Sequence, residues 1–231
     1  MYSNKELREQ VWEANLQLPA HNLVLYTFGN VSGIDRSNGI IAIKPSGVPY
    51  EDLKPEHIVL VDLDNNTVDS SGKPSSDTKT HLVLYKNFTE IGGIVHTHST
   101  YATAWAQAQK PIPCLGTTHA DYVHGDIPCT EIISREQISG DYEEETGKLI
   151  VECLKDISCE DVSMVLVAAH GPFTWGLTPS EAVHNSVILE ELAKMAYLTL
   201  GINDSVERLD DTLIDKHFFR KHGDSAYYGQ K

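Results

Sequence analysis

Two histidines, His96 and His98, are separated by a single residue at the end of an apolar run. The histidine side chain commonly binds transition metals. The run GGIVHTH, residues 92–98, is typical of a buried strand. Because side chains alternate along a strand, both imidazoles are expected on one face, roughly 6.6 Å apart. That separation allows two ring nitrogens to converge on one cation at about 2.0–2.1 Å. His170, which ends the apolar run 163–169 and precedes a Gly-Pro turn, is the best candidate for a third ligand.

The same residues also have plainer interpretations. An isolated H-x-H pair is more often packed or exposed than metal-bound, and a structural zinc site is usually closed and rich in cysteine. None of the four scattered cysteines lies near the histidine pair, and they form no C-x-x-C motif: Cys114, Cys129, Cys153 and Cys159. Three histidines beside Gly, Ser or Pro therefore favour an open metal site. His81 and His184 lie in helical segments and are expected to be structural.

Two short segments have the composition of anion-binding loops. Residues 44–47, KPSG, follow a strand and offer a cation, a hydroxyl and a flexible backbone. Residues 73–77, KPSSD, precede a helix whose free N–H groups attract anions, although their hydroxyls would serve equally well to cap that helix. Together with Asn30 these segments indicate a phosphate site. Neither G-x-G-x-x-G nor G-x-x-x-x-G-K-[ST] occurs, so the sequence does not support dinucleotide or ATP binding.

Helices and strands alternate loosely along the chain. The patterns predict strands over residues 39–44, 57–63, 92–98 and 163–169, and helices over residues 4–18, 80–88, 100–108, 143–155, 178–200 and 205–221. Thr178, Pro179 and Glu181 suit a helix start. The continuous apolar run 163–169 is typical of a strand that is covered on both faces. This alternation predicts an α/β or α+β protein with a three-layer sheet, and argues against a bundle or a sandwich.

Composition narrows the functional classes. At 231 residues the chain is long enough for one sizeable domain, and 41% apolar with 22% charged residues is ordinary for a soluble protein. The net charge of −15 argues against a nucleic-acid partner. No stretch approaches the roughly 20 apolar residues of a membrane span, and the N-terminus does not resemble a secretory signal. The scattered cysteines are expected to be reduced thiols, and together these features predict a cytoplasmic protein without a membrane partner.

Several strings, all in order, resemble those of the class II sugar-phosphate aldolase/epimerase family. They are GNVSGID, KPSG, KPSSDT, GGIVHTHS, GTTHADY and HGPF-x-WG, and the resemblance runs from about residue 4 to the final YYGQ. It implies one domain over residues 1–231 with the class II aldolase-like α/β fold, in which helices flank a central, mainly antiparallel sheet as three α/β/α layers. It also implies a homotetramer with active sites at subunit interfaces, where the tail of one subunit completes its neighbour's site.

The resemblance assigns roles that local context would leave open. One divalent cation per subunit, zinc with manganese or cobalt as alternatives, would be bound by Asp77, His96, His98 and His170. Asp121 and Tyr228 would be the two proton-transfer groups, although by themselves they would pass for a turn residue and a tail aromatic. Substrate-binding and supporting positions would be Gly29, Asn30, Lys44, Ser46, Gly47, Ser75, Ser76, Thr117, Glu143 and His217.

Within the family, the resemblance is to members that invert C4 of a pentulose 5-phosphate, interconverting L-ribulose 5-phosphate and D-xylulose 5-phosphate. C4 lies β to the carbonyl carbon and carries no acidic proton, so the implied route is retro-aldol cleavage of C3–C4 and re-addition on the other face. A metal-dependent ketose-phosphate aldolase is the alternative, because it shares the metal site, but Asp121 and Tyr228 favour the epimerase. An adducin-like interaction module would not need the histidines. The resemblance is compatible with a role in arabinose, ascorbate or other pentose pathways.

Overall fold

A computed structural model describes residues 3–69, 72–223 and 226–228. Its strands are β1 (Asn30–Asp35), β2 (Ile40–Ile43), β3 (Val59–Asp62), β4 (Thr67–Asp69), β5 (Gly93–His96), β6 (Met164–Val167) and β7 (Gly171–Gly176). They form one sheet in the order β4-β3-β2-β1-β5-β7-β6, and each neighbouring pair is antiparallel. The antiparallel sheet predicted from the family resemblance is confirmed.

Helices cover this sheet. They are α1 (Asn4–Ala20), α2 (Thr78–Asn87), α3 (Thr100–Gln107), α4 (Thr117–Ala120), α5 (Arg135–Ser139), α6 (Tyr142–Cys153), α7 (Pro179–Ile202) and α8 (Asp211–Phe219), with 3-10 turns at Tyr50–Asp52 and Pro55–His57. Within the described ranges, no helix is both long and apolar enough to cross a membrane.

The two faces of the sheet bury different clusters, as the alternation of side chains requires. On one face Val31 and Val95 pack with α1 and the beginning of α7. On the other face Ile34 and Ile94 join a larger core that includes residues of α2, α3 and α6. The molecule is therefore the α/β/α arrangement expected from the sequence, and His96 lies on the same face as Ile94.

Several predicted boundaries are wrong in informative ways. Helix α1 continues through Pro19 to Ala20, although Pro19 has no N–H to donate to the Asn15 carbonyl. Strand β3 begins only at Val59, since residues 55–57 form a 3-10 turn. The last helix begins at Asp211 rather than near residue 205, because the Asp210 side chain caps it by accepting from the Thr212 N–H at 2.9 Å. Strands β1, β4 and β7 were not predicted at all.

Candidate metal and substrate site

The structure brings together the three histidines that the sequence singles out. His96 is the last residue of β5, and His170 lies in the turn between β6 and β7. Since β7 pairs with β5, opposing Phe173 to His96, this turn lies beside the end of β5. One ring nitrogen from each of His96, His98 and His170 lies within 4.8 Å of the other two. The predicted reason was wrong in one respect: the strand stops at His96, and His98 lies beyond it in irregular chain.

Hydrogen bonds orient these rings towards each other. The His96 Nδ1–H donates to the Pro172 carbonyl at 2.9 Å, and the ring stacks on Phe173 with centroids 4.2 Å apart. This bond assigns the tautomer and leaves His96 Nε2 facing His98 Nε2 at 3.1 Å. Two lone pairs at that distance repel each other unless a cation or a proton lies between them. The donor set therefore fits a divalent cation that accepts imidazole nitrogen.

Burial sets the charges that the cluster carries. It lowers the pKa of His170 to about 4, with His96 and His98 adding to the effect. Burial and His96 likewise lower the pKa of His98. At Asp77 burial acts to raise the pKa, but His96, His81 and a hydrogen bond from Asn30 outweigh it, and the net pKa is lowered. The lowered pKa values of His98 and His170 favour neutral imidazoles there, and that of Asp77 favours an ionised carboxylate, which are the protonation states that metal binding requires.

Asp77 stands beside the histidine cluster but is not among the groups that meet its 4.8 Å spacing. Its Oδ2 accepts from Asn30 Nδ2 at 2.6 Å and from Ser75 Oγ at 3.4 Å. Asn30 is in turn paired with His96 in the sheet, so the carboxylate is fixed near the cluster. A fourth ligand at Asp77 stays a prediction. The Asn30 Oδ1 atom is buried without a hydrogen-bond partner, which leaves an acceptor for a ligand hydroxyl.

A cleft of about 440 Å³ opens over the histidines. It is lined by the three histidines, by Asp77 and by eight of the predicted substrate-binding residues: Gly29, Asn30, Lys44, Ser46, Gly47, Ser75, Ser76 and Glu143. The two predicted anion loops form one continuous wall, because the Ser46 N–H donates to the Lys73 carbonyl at 2.9 Å and the Ser75 N–H to the Lys44 carbonyl at 3.1 Å.

The beginning of α2 is open towards a ligand. Its N-cap residue, Asp77, makes no side-chain capping bond, whereas the Ser75 hydroxyl accepts from the Asp77 N–H at 3.4 Å, so the interpretation of the KPSSD hydroxyls as helix caps stays an alternative. Free N–H groups and the helix dipole therefore remain at this end of α2. Gly29, across the cleft, has φ +74°, and a Cβ there would lie 2.8 Å from the His96 carbonyl oxygen. Only glycine fits this close approach.

Lys44 supplies a buried positive charge to the cleft. Its side chain is 1% exposed, its Nζ donates to the Thr27 carbonyl at 3.4 Å, and the ammonium lies 4.7 Å from the centroid of the Tyr50 ring. Burial lowers its pKa to about 8. Within the part of the chain that is described, no carboxylate forms an ion pair with it. A buried cation without a counter-ion is unfavourable until an anion binds.

The predicted proton-transfer residues form a second cluster outside the cleft. Asp121 follows α4; its Oδ1 accepts from His217 Nδ1 at 3.0 Å, and its two oxygens accept from Arg220 Nε at 3.0 Å and Nη2 at 2.8 Å. Lys221 Nζ lies 3.3 Å from Asp121 Oδ2. Burial acts to raise the pKa of Asp121, but these partners outweigh it, and the net pKa is lowered. Tyr228 is 60% exposed, with its ring centroid 4.8 Å from Arg220 Cζ.

The structure thus divides the predicted site residues into two groups. Thr117, which begins α4 and accepts from the Asp121 N–H at 2.9 Å, belongs with Asp121, His217 and Tyr228, and none of these four lines the cleft. The final Gly-Gln of the YYGQ string lies outside the described residues.

Sequence reasoning missed several residues. Tyr142 lines the cleft and places its hydroxyl 3.4 Å from His170 Nδ1, and nothing in its local pattern signals this. Thr27 and Phe28 also line the cleft. Arg220 and Lys221 belong to a basic string, KHFFRKH, which stands out in so acidic a chain and was a usable signal.

Comparisons with known proteins show the family and the fold. The family described as "Class II Aldolase and Adducin N-terminal domain" matches residues 9–197. Two curated proteins named L-ribulose-5-phosphate 4-epimerase UlaF, from Salmonella paratyphi C (strain RKS4594) and Salmonella typhi, are each 53% identical over 227 residues, which is 98% of this chain and 100% of theirs. A solved L-fuculose 1-phosphate aldolase has a TM-score of 0.78 at 25% identity, covering 94% of this chain and 96% of its own. YgbL from Klebsiella pneumoniae, described as a putative aldolase/epimerase/decarboxylase, has a TM-score of 0.75 at 24% identity, with 94% and 99% covered.

Proposed function

The chain belongs to the class II aldolase and adducin N-terminal domain family, and from that premise we propose that it is an L-ribulose-5-phosphate 4-epimerase, an isomerase that interconverts L-ribulose 5-phosphate and D-xylulose 5-phosphate. One observation supports this assignment above the others. A cluster of three histidines that suits a cation shares a single cleft with Lys44, a buried ammonium that has no anionic partner among the described residues. A phosphorylated ketose carries groups that satisfy both.

The family is metal-dependent, and we assign the cation site to His96, His98 and His170, with Asp77 as a further ligand. Zinc fits this nitrogen-rich donor set best, and manganese or cobalt would also be accepted. When bound, the divalent cation supplies the positive charge that stabilises negative charge developing on the ketone oxygens.

The residues of the cleft position the two ends of the substrate. We assign the phosphate to Lys44, Ser46, Gly47, Ser75 and Ser76, where free backbone N–H groups at the beginning of α2 add donors. The ketose end then lies towards the histidines, where the unpartnered Asn30 Oδ1 accepts a sugar hydroxyl, with Gly29 and Glu143 in the same walls. Binding at both ends keeps the two fragments in the site after C3–C4 cleavage.

Inversion at C4 requires proton transfer to and from the C4 oxygen on each face of the aldehyde. We assign these transfers to the carboxylate of Asp121 and the phenol of Tyr228, with Thr117 and His217 as supporting residues. Because all four belong to the cluster outside the cleft, we propose that they act on the cleft of a neighbouring subunit in a homotetramer. Which of Asp121 and Tyr228 serves which face is left open by this assignment.

Purified, metal-replete protein should convert L-ribulose 5-phosphate to D-xylulose 5-phosphate and should lose that activity to a chelator. Asp121→Asn and Tyr228→Phe should each lower turnover while metal content stays at the wild-type value. Accumulation of dihydroxyacetone and glycolaldehyde phosphate without any pentulose product would instead favour a ketose-phosphate aldolase, the second candidate that the fold of L-fuculose 1-phosphate aldolase supports.

Sharing of sites between subunits has its own test. Mixed tetramers of a His96→Asn protein and a Tyr228→Phe protein contain some clefts with intact histidines next to an intact tyrosine. These tetramers should recover activity that neither parent shows. If unfolding and refolding the two proteins together restores nothing, each cleft uses the cluster of its own chain.

We further propose that residues 1–231 act as one domain and that the enzyme works in the cytoplasm on pentose catabolism. The four cysteines support that location, because all are free thiols in the structure: Cys114, Cys129, Cys153 and Cys159. Arabinose catabolism is one such pathway, and other pentose or ascorbate pathways would present the same substrate.

A further inference from the structure

We propose that Arg220 is a positioning residue that fixes Asp121 and Tyr228 relative to each other, an inference that rests on the proposed function. Arg220 follows the last residue of α8 and contacts both groups that are assigned to proton transfer. It does so with different parts of one residue, its guanidinium and its carbonyl oxygen.

The guanidinium fixes the carboxylate. Arg220 Nε and Nη2 donate to the two different oxygens of Asp121, at 3.0 and 2.8 Å. Such a two-bond pair determines the plane as well as the position of a carboxylate, which a single contact cannot do. The other charged or titratable groups near this carboxylate are His217 at 3.0 Å and Lys221 at 3.3 Å, while His222 donates to the backbone carbonyl of Asp121 at 3.0 Å. Lys221 Nζ also lies 4.9 Å from the centroid of the Tyr228 ring, but to the carboxylate itself Lys221 and His217 each make a single contact.

The same arginine fixes the tyrosine. Its carbonyl oxygen accepts from the N–H groups of Tyr227 and Tyr228, both at 2.9 Å, which turns the chain back towards α8. The Tyr228 ring then lies with its centroid 4.8 Å from Arg220 Cζ, within cation–π range. Because Tyr228 is 60% exposed, little apolar packing is available to fix its ring. The face of the guanidinium and its N–H edge therefore contact the two groups at once.

Three variants separate the effect of the guanidinium's geometry from the effect of its charge and from a general loss of rigidity in the α8 region. Arg220→Gln removes the guanidinium, whereas Arg220→Lys keeps the charge and loses the planar fork. Arg208→Gln is the matched control: Arg208 also joins the α8 region to the body, by pairing with Asp126 at 2.9 Å and Asp211 at 2.7 Å, but does not touch Asp121.

Steady-state kinetics on L-ribulose 5-phosphate then tests the positioning role. Arg220→Gln should lower kcat about 100-fold, the loss typical of small misplacements of reacting groups, with KM and metal content unchanged. Arg220→Lys should stay at least about tenfold impaired, because one flexible ammonium cannot replace two parallel bonds. Arg208→Gln should keep wild-type kcat. Full activity in either Arg220 variant, or an equal loss in Arg208→Gln, overturns the proposal.

A second readout does not depend on the reaction. With 3-fluorotyrosine at position 228, the fluorine resonance should shift and narrow in Arg220→Gln as the ring loses its contact. The label at position 227 is the control, because Tyr227 is similarly exposed, at 63%, and its ring lies 5.3 Å from Lys216 Nζ. An unchanged resonance at 228 contradicts the positioning role even if the wild-type protein proves inactive on L-ribulose 5-phosphate. Wild-type inactivity with a shifted resonance would refute the proposed function alone.

Discussion

Replacing Lys44 by methionine should make the protein more stable and a weaker binder of its substrate. The ammonium is 1% exposed and burial lowers its pKa from 10.5 to about 8. At about 1.4 kcal/mol for each pH unit, the charged form is about 3 kcal/mol less favourable in the folded protein than in water. Methionine has a similar length and no charge, so Lys44→Met should raise the free energy of unfolding at pH 7 by about 3 kcal/mol.

The pH dependence of stability should change with it. The folded pKa of Lys44 lies below the unfolded value, so the unfolded chain binds more protons between pH 8 and 10.5. In wild-type protein this group therefore makes the free energy of unfolding rise across that window, by about 3 kcal/mol in total. The contribution should be missing in Lys44→Met, as urea denaturation at several pH values would measure.

Substrate affinity should move in the opposite direction. A hydrogen bond to a charged group contributes about 1.5–3 kcal/mol, which corresponds to a rise in KM of roughly 10- to 100-fold. Lys148→Met is the control, since Lys148 is exposed and pairs with Glu144 and Glu145 on the surface of α6; it should leave KM unchanged. A Lys44→Met protein that is destabilised and keeps its KM would refute the assignment of Lys44 to the phosphate.

Three further predictions concern stability. Arg36→Ala should lower the free energy of unfolding by about 1–2 kcal/mol in urea, because the guanidinium donates to three backbone carbonyls at and beyond the end of α2. Gly93→Ala should greatly reduce folded yield, because a Cβ would lie 2.5 Å from the backbone of Pro179, while Gly201→Ala, with open space, should not. Burial lowers the pKa of His119 to about 4, so the unfolded chain binds more protons than the folded protein from pH 6.5 down to 4. Between pH 7 and 5 the free energy of unfolding of the wild type should therefore fall by about 2 kcal/mol more than that of His119→Gln.

The sequence predicts which residues form the metal cluster, but it does not predict how they are arranged. Strand ends and turn residues pointed to His96, His98 and His170, but the pattern could not show that β5 pairs with β7, the contact that brings His170 alongside. Alternation along a strand was also the wrong reason for His98, since β5 ends two residues earlier. The candidate ligands are still identified despite these errors, because ligand side chains need only reach one common point.

Strand β7 was missed because proline argues against an interior strand. Pro172 nevertheless belongs to β7, which lies between β5 and β6 in the sheet. Its carbonyl accepts from His96 Nδ1 at 2.9 Å and from the Thr97 N–H at 3.4 Å. Strand β1 was missed because Ser32 breaks its apolar pattern. Its hydroxyl is buried against His81 Nδ1 at 2.7 Å and Tyr85 Oη at 2.8 Å, a tertiary contact that no local pattern encodes.

The separation of the two groups of site residues was beyond local patterns for the same reason. The family resemblance implied active sites at subunit interfaces, with the tail of one subunit completing its neighbour's site, and in a single chain Asp121 and Tyr228 form their own cluster with Arg220. Composition gave one hint, the basic string at the end of α8. Only the fold places that string against α4.

The most direct test of the central claim is an NMR time course of L-ribulose 5-phosphate with metal-replete protein in D2O. Cleavage and re-formation of C3–C4 never breaks the C4–H bond, so D-xylulose 5-phosphate should appear with hydrogen retained at C4, and a chelator should stop its formation. Deuterium at C4 would contradict the cleavage route. Release of dihydroxyacetone and glycolaldehyde phosphate with no D-xylulose 5-phosphate would contradict the assignment as an epimerase.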